Sequence, residues 1–321
     1  MMTTSTPGKH LLQMTAAAAA VIALMILATL LIDPYRVFGI TSWNQKNFMP
    51  NSRYLQIEAL KTKSAEAYVI GTSRVNYYTV KDFQELTGLT CYNLTTPSGT
   101  PRENLLELQW LLARQKPKMV LMGLDYDIQF LVAPMSDASL QKWMHPETTG
   151  TPLWRFRLEY LRFDVESTWL AIKRNFFEWK VTYRFDVETG HYSLPKRDDE
   201  IRDNWPAYEA AQFQGQPPEK RRANREHDDD VRQIVALLKK HGVEARFVFT
   251  PMHRLTLATF DRPDYEAWKA RMREICGTVA DFSEDPAIMN ENRLFYEPVH
   301  FRAEAGRMVL EKLFAKEPKA R

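Results

Sequence analysis

Cysteine is scarce in this chain of 321 residues. Only Cys91 and Cys276 occur, which excludes a disulfide-dense scaffold and a cysteine-based zinc site. The two either pair outside the cytoplasm or stay as buried free thiols. The acid-rich runs Asp198–Glu200 and Asp228–Asp230 have no histidine at ligand spacing. The "HDDD" run sits at a helix start, where acids suit the helix dipole. No metal is expected, and no cofactor, because neither a phosphate loop nor a dinucleotide fingerprint is present. The net charge is only +3, with no long basic stripe interleaved with aromatics, so nucleic acid is not an expected partner. There is no internal repeat. The composition, 45% hydrophobic and 26% charged, is that of a folded protein with a substantial core.

Charge is absent altogether from one stretch. After an N-terminal tail at 1–10, "LLQMTAAAAAVIALMILATLLI" (11–32) carries no charged residue over 22 positions. As a helix rising 1.5 Å per residue it spans a hydrocarbon core of ~30 Å. A cleaved signal peptide would have a shorter apolar region with small residues after it. Here the alanines lie in the first half and the run ends in "TLLIDPYR", so a retained single-pass transmembrane anchor is expected. Lys9 on the N-terminal side puts the rest of the chain outside the cytoplasm by the positive-inside rule. The membrane is therefore an expected partner. The expected location is the inner membrane, with the C-terminal domain facing the periplasm or the outside.

A connector at 33–62 follows, opened by "DPYRVF" and continued by "NFMPNSRY". Strands and helices then alternate. Strand candidates are "AYVIG" (67–71), "TCYNL" (90–94), "KMVLMGLDYD" (118–127), "EARFVFTP" (244–251) and "TVADF" (278–282). Helical spacing marks 101–115, with Thr100 as N-cap and Pro101 in the first turn, and also 228–241, 263–276 and 303 to about 316. This order predicts an α/β fold, a parallel sheet with helices on both faces. Ligands bind such sheets outside the carboxyl ends of the strands. Gly71–Ser73, Thr95–Gly99, Asp125 and Pro251–His253 all fall at such ends.

Residues 134–227 interrupt the alternation with Trp143, Trp154, Trp169, Trp179, Trp205 and many charges. An insertion of this length is either a lid or acceptor-binding wall, or an extra helical layer with aromatics in its core.

Two motifs carry chemistry. Ser73 ends the first strand in "AYVIGTSRVNYYTV". In "NRLFYEPVHFRAEAG" (292–306), Glu297 and His300 stand three apart before the last helix, stiffened by Pro298. A carboxylate at that spacing can accept from one imidazole nitrogen, leaving the other to take a proton. His253 in "FTPMHR" is either a pocket residue or a turn histidine at a strand end. Arg74 either contacts substrate or pairs with Asp125 or Glu103.

Together these features resemble the SGNH (GDSL-like) hydrolase superfamily. They are nearest to its membrane-anchored cell-envelope branch, which includes alginate O-acetylation proteins and the D-alanyl transfer protein of lipoteichoic acid. In that branch "G-[ST]-S-[RE]" replaces Gly-Asp-Ser, as "GTSR" does here. The resemblance covers about 65–130 and 244–315 and extends to "DPYRVF" following the anchor; it does not cover the insertion. It implies a flavodoxin-like, SGNH-like domain at 63–316, followed by a tail at 317–321. It also implies a membrane-embedded acyl-transfer partner protein and an envelope glycan or acyl-ester substrate.

Residue by residue, the resemblance makes Ser73 the nucleophile and His300 the general base. Glu297 stands where the family usually has Asp. The Ser73 N–H would be one oxyanion donor and the Gly99 N–H another, with Ser98 or Asn93 as substitutes. The third family block normally supplies an Asn side chain as donor. Here "GLDYD" offers Asp125 or Asp127, and a carboxylate repels an oxyanion. Losing one such donor typically costs ~2.7–4 kcal/mol of transition-state stabilisation. The expectation is serine esterase or O-acyltransferase chemistry on an envelope polysaccharide or related polymer. The alternative is a catalytically inactive binding or scaffold component that keeps the cleft.

Overall fold

The computed structural model describes residues 7–40, 43, 51–178, 183–215 and 217–315. Most of the N-terminal tail, the connector at 44–50, Trp179 and the tail 317–321 lie outside the described residues.

Five parallel strands form the central sheet: β1 (Ala67–Gly71), β2 (Cys91–Thr95), β3 (Met119–Leu124), β6 (Glu244–Phe249) and β7 (Val279–Asp281). Two short antiparallel pairs complete the strands among the described residues. These are β4 (Arg184–Phe185) with β5 (Tyr192–Ser193), and β8 (Phe295–Glu297) with β9 (His300–Phe301). The sheet order is β2-β1-β3-β6-β7. Counting only sheet strands this is 2-1-3-4-5, the order of flavodoxin-like doubly wound sheets.

Both faces of the sheet are covered, and β1 shows how. Tyr68 and Ile70 point to one face, where they pack with Leu105, Leu108, Ile234 and Trp268 from the helices Pro101–Leu112, His227–Lys240 and Arg262–Cys276. Ala67 and Val69 point to the other, where Phe83, Val309 and Leu310 come from Val80–Thr87 and Ala303–Leu313. A strand buried on both faces reads as an unbroken apolar run, which is why "AYVIG" shows no alternation. Helix Pro101–Leu112 starts as expected, with the Glu103 carboxylate accepting from the Thr100 N–H at 2.7 Å.

The N-terminal helix runs from Pro7 to Ile32, and Gly8–Ile32 is long and apolar enough to cross a membrane. The connector is not featureless. It contains helix Ser52–Leu60, capped by Asn51 and packed through Ile57 and Leu60 into the core.

The insertion is a chain of short helices, among them Asp137–Trp143, Leu153–Tyr160, Val165–Ile172, Pro195–Asp203 and Trp205–Gln212. A π-helical turn, Lys173–Phe177, extends the third of these. The insertion docks on the outer edge of β2, where the Asn93 N–H donates to the Thr189 carbonyl at 2.9 Å. Gly190 makes this contact fit. It has φ +72°, and a Cβ there would lie 1.9 Å from the Asn93 carbonyl oxygen.

Candidate active site

The order of the sheet reverses beside β1, so the chain leaves β1 and β3 at the switch point where doubly wound sheets open a crevice. Ser73 follows β1 there. Gly71 permits the turn, with φ +145° and a virtual Cβ 3.0 Å from Val75 and 3.1 Å from the Gly123 carbonyl.

Glu297 and His300 arrive from the far end of the chain on the β8–β9 hairpin. Pro298 and Val299 form its turn, and Glu297 and His300 are direct cross-strand partners. Cross-strand pairing explains why a spacing of three brings the two side chains together. Ser73 Oγ lies 2.8 Å from His300 Nε2, and His300 Nδ1 is hydrogen-bonded to Glu297 Oε1. If Nδ1 carries the proton toward the carboxylate, Nε2 is left to accept from the serine hydroxyl. Ser73 is 8% exposed, so the hydroxyl is shielded but reachable.

The second Glu297 oxygen is held by Arg197, a residue of the insertion that sequence reasoning missed. Burial alone would raise the Glu297 carboxyl. The His300 hydrogen bond and the charges of His300 and Arg197 outweigh burial and hold it below the usual carboxylate range. Glu297 thus reaches His300 and still has an oxygen for a cation.

These residues open on a cleft of about 430 Å³ that Tyr77, Ser98, Tyr183, Tyr192 and Arg197 also line. Tyr192 donates to the Ser73 carbonyl at 3.2 Å. Buried Asn76, three residues after Ser73, clasps the Tyr192 backbone through both ends of its amide, at 2.8 and 2.9 Å. Its position in "GTSRVNYY" was the one available signal, and nothing in the sequence said what it would meet.

Other candidates sit elsewhere. Asp125 is fully buried and does not line the cleft. It accepts from the hydroxyls of Thr72 and Thr250 and from Arg74 Nη1 at 3.3 Å. Its role is that of a counterion inside the fold. Arg74 is fully buried too, so it does not meet substrate. It forms a bidentate pair with Asp127 at 2.6 and 2.7 Å and donates to the Val299 carbonyl at 2.8 Å. Burial alone would lower the guanidinium, but Asp127 and Asp125 hold it above its ordinary value. Its partner is not Glu103, which pairs with Arg53. Arg74 thereby ties the loop after β1 to the residue next to His300.

Gly99 is not a free donor, because its N–H is spent on the Thr96 carbonyl at 2.8 Å. Asn93 is buried and donates to the carbonyls of Val75 and Asn76. His253 is buried, caps the helix Arg254–Leu257 and bonds Asn292 at 2.8 Å, so it is the turn histidine of the two readings. Burial pushes its imidazole down, against the Asn292 hydrogen bond. Among the described residues, the Ser73 N–H meets no acceptor. Ser98 lines the cleft with φ +52°, an uncommon conformation for a non-glycine residue.

Cys91 and Cys276 are both free, Cys91 buried and Cys276 half-buried. No group of three or more His, Cys, Asp or Glu that could hold a metal occurs among the described residues. No tryptophan lines the cleft among them either; its aromatics are tyrosines. A scan against protein-family models and a search of curated proteins each return no match for this chain.

Proposed function

We propose that this chain is a membrane-anchored, SGNH-like serine esterase or O-acyltransferase of the cell envelope, acting on a polysaccharide or related polymer. The catalytic domain would face the periplasm or outside, alongside a membrane acyl-transfer partner. The observation that carries the reading is the chain of contacts from Ser73 through His300 to Glu297 at the switch point of the sheet. In the proposed reaction Ser73 Oγ bonds to the acyl carbonyl carbon while His300 Nε2 takes the hydroxyl proton. The carbonyl oxygen becomes an oxyanion beside the Ser73 N–H. The bond to the leaving alcohol then breaks, and His300 returns the proton to that alcohol. Water or a sugar hydroxyl attacks the acyl carbon and gives its proton to His300; the acyl–Oγ bond then breaks, and His300 passes the proton to Ser73 Oγ.

A fluorophosphonate probe tests this directly on the full chain. The expected result is covalent labelling that Ser73→Ala removes, together with loss of ester turnover. Equal labelling of the Ser73→Ala protein sinks the proposal.

One observation favours a second reading, a binding or scaffold component. Gly99 and Asp125 supply no donor to the cleft, which leaves the oxyanion short of partners. A folded protein that resists the probe and binds envelope glycan would establish that reading instead.

A further inference from the structure

Among the described residues, the insertion carries a run of large apolar side chains, most of them exposed. Val165, Trp169, Ile172 and Phe176 recur at spacings of four, three and four, one stripe along the helix Val165–Ile172 and its π-helical extension. Val165 is 69% exposed, Trp169 57% and Phe176 65%. The adjoining helix Leu153–Tyr160 exposes Trp154 and Leu158, which are also four apart. Monomeric soluble proteins rarely leave such surface contiguous.

What lies beside the stripe identifies its occupant. The anchor helix packs against helix Val165–Ile172, and its burial is confined to its C-terminal end, where Thr29 is buried. Tyr35, three residues past the anchor, hydrogen-bonds Asp164 at 3.0 Å and Ser167 at 2.8 Å, which fixes the start of that helix. Trp43 donates to the Leu31 carbonyl at 2.9 Å, and its ring centroid lies 5.2 Å from that of Phe176. Tyr35, Trp43 and Phe176 therefore gather where the anchor's apolar run ends, and Trp169 follows in the same segment with its ring centroid 6.4 Å from that of Phe177. Aromatic side chains with an apolar body and a polar edge concentrate at that depth in a bilayer. Arg162 lies exposed just before the stripe, and Lys173, paired with Glu178 at 3.5 Å, lies within the segment, as cations accompany helices lying in the headgroup layer.

We propose that the segment Val165–Phe177 lies in the membrane interface beside the anchor and forms a second, monotopic contact with lipid. This rests on the anchor reading but not on the Ser73 chemistry. It would hold the domain in one orientation over the bilayer instead of letting it swing on a single helix.

The test uses the full chain in nanodiscs of zwitterionic and anionic phospholipid, with Cys91→Ala and Cys276→Ala as background. Single cysteines replace Val165, Phe176, Ile22 in the anchor or Lys240, exposed at the end of helix His227–Lys240. Each carries an environment-sensitive fluorophore. The expected result is strong quenching at 165 and 176 by lipid spin-labelled near the headgroup, several-fold above that at 240. Position 22 should be quenched best by lipid labelled deep in the acyl chain. Labels at 165 and 176 that behave like 240 while 22 is quenched overturn the seat and leave the anchor standing. Shielding of 165 and 176 only when a second membrane protein is added also overturns it, in favour of a protein partner. An unquenched label at 22 removes the anchor on which the inference stands.

Discussion

In the sheet, Val69, Ile70, Leu121 and Met122 have no exposed surface; in the insertion, Trp154, Val165, Trp169 and Phe176 are each more than half exposed. Both regions nevertheless build one cleft. The sheet side supplies Ser73, and the β8–β9 hairpin supplies Glu297 and His300. The insertion supplies Arg174, Tyr183, Tyr192, Leu194 and Arg197. Ser73 thus stands at the end of a fully buried strand and Glu297 and His300 on a half-buried hairpin, and the wall facing them belongs to the insertion. A packed sheet holds geometry while an insertion can vary.

Substitutions can break the comparison on either side. The largest effect is expected on the sheet side at the hairpin. Glu297→Gln keeps the size of the side chain but removes the carboxylate that orients His300, and turnover should fall about 10⁴-fold, as when a triad acid becomes its amide. Probe-labelling rates read this, and an unchanged rate would make Glu297 an onlooker.

Next is Arg74→Met. It leaves Asp125 and Asp127 without their cation and unties the Val299 carbonyl. Breaking a buried pair from one side typically costs about 3–5 kcal/mol, which denaturant unfolding measures. A loss below about 1 kcal/mol would mean the network contributes little.

Gly190→Ala attacks the joint between the two regions. Its left-handed φ and the 1.9 Å approach to Asn93 leave no room for a methyl group. About 1–3 kcal/mol of strain is expected. The insertion should loosen while the sheet stays folded, read as faster proteolysis within 134–227 and weaker substrate binding. Equal loss of protection in both regions would show that they unfold as one.

The smallest effect is expected from Arg197→Met. Arg197 helps keep the Glu297 carboxyl low, so removing it raises that carboxyl. A carboxylate with a lowered value is ionised above it and lost as pH falls through it. The Glu297 carboxyl should therefore titrate at higher pH in the variant, read by NMR titration of its carboxyl carbon. A carboxyl that titrates where it did would leave Arg197 with substrate contacts alone.

Much of the sheet was legible in the sequence. All five strands lie where the apolar runs are, and the helices Pro101–Leu112, His227–Lys240 and Arg262–Cys276 begin and end within three residues of the periodic pattern. Local signals suffice there because a doubly covered sheet writes its burial into consecutive residues. The Glu297–His300 spacing was legible for a similar reason, since a two-residue turn makes them neighbours whatever the rest of the chain does. Arg197 and Tyr192 were not legible. They reach the site through a segment with weak periodicity, and nothing in an Arg or a Tyr on its own states what it will face.

What the sequence by itself determined, then, is the alternation that makes the sheet, the apolar helix before it and the local pairing of Glu297 with His300. Only the tertiary structure decided that Asp125 turns inward. Its partners Thr72, Arg74 and Thr250 lie 53, 51 and 125 residues away along the chain, and they converge only once the strands are side by side. A buried carboxylate is stable only where cations and hydroxyls meet it, so its direction is set by the fold as a whole and not by its neighbours in sequence.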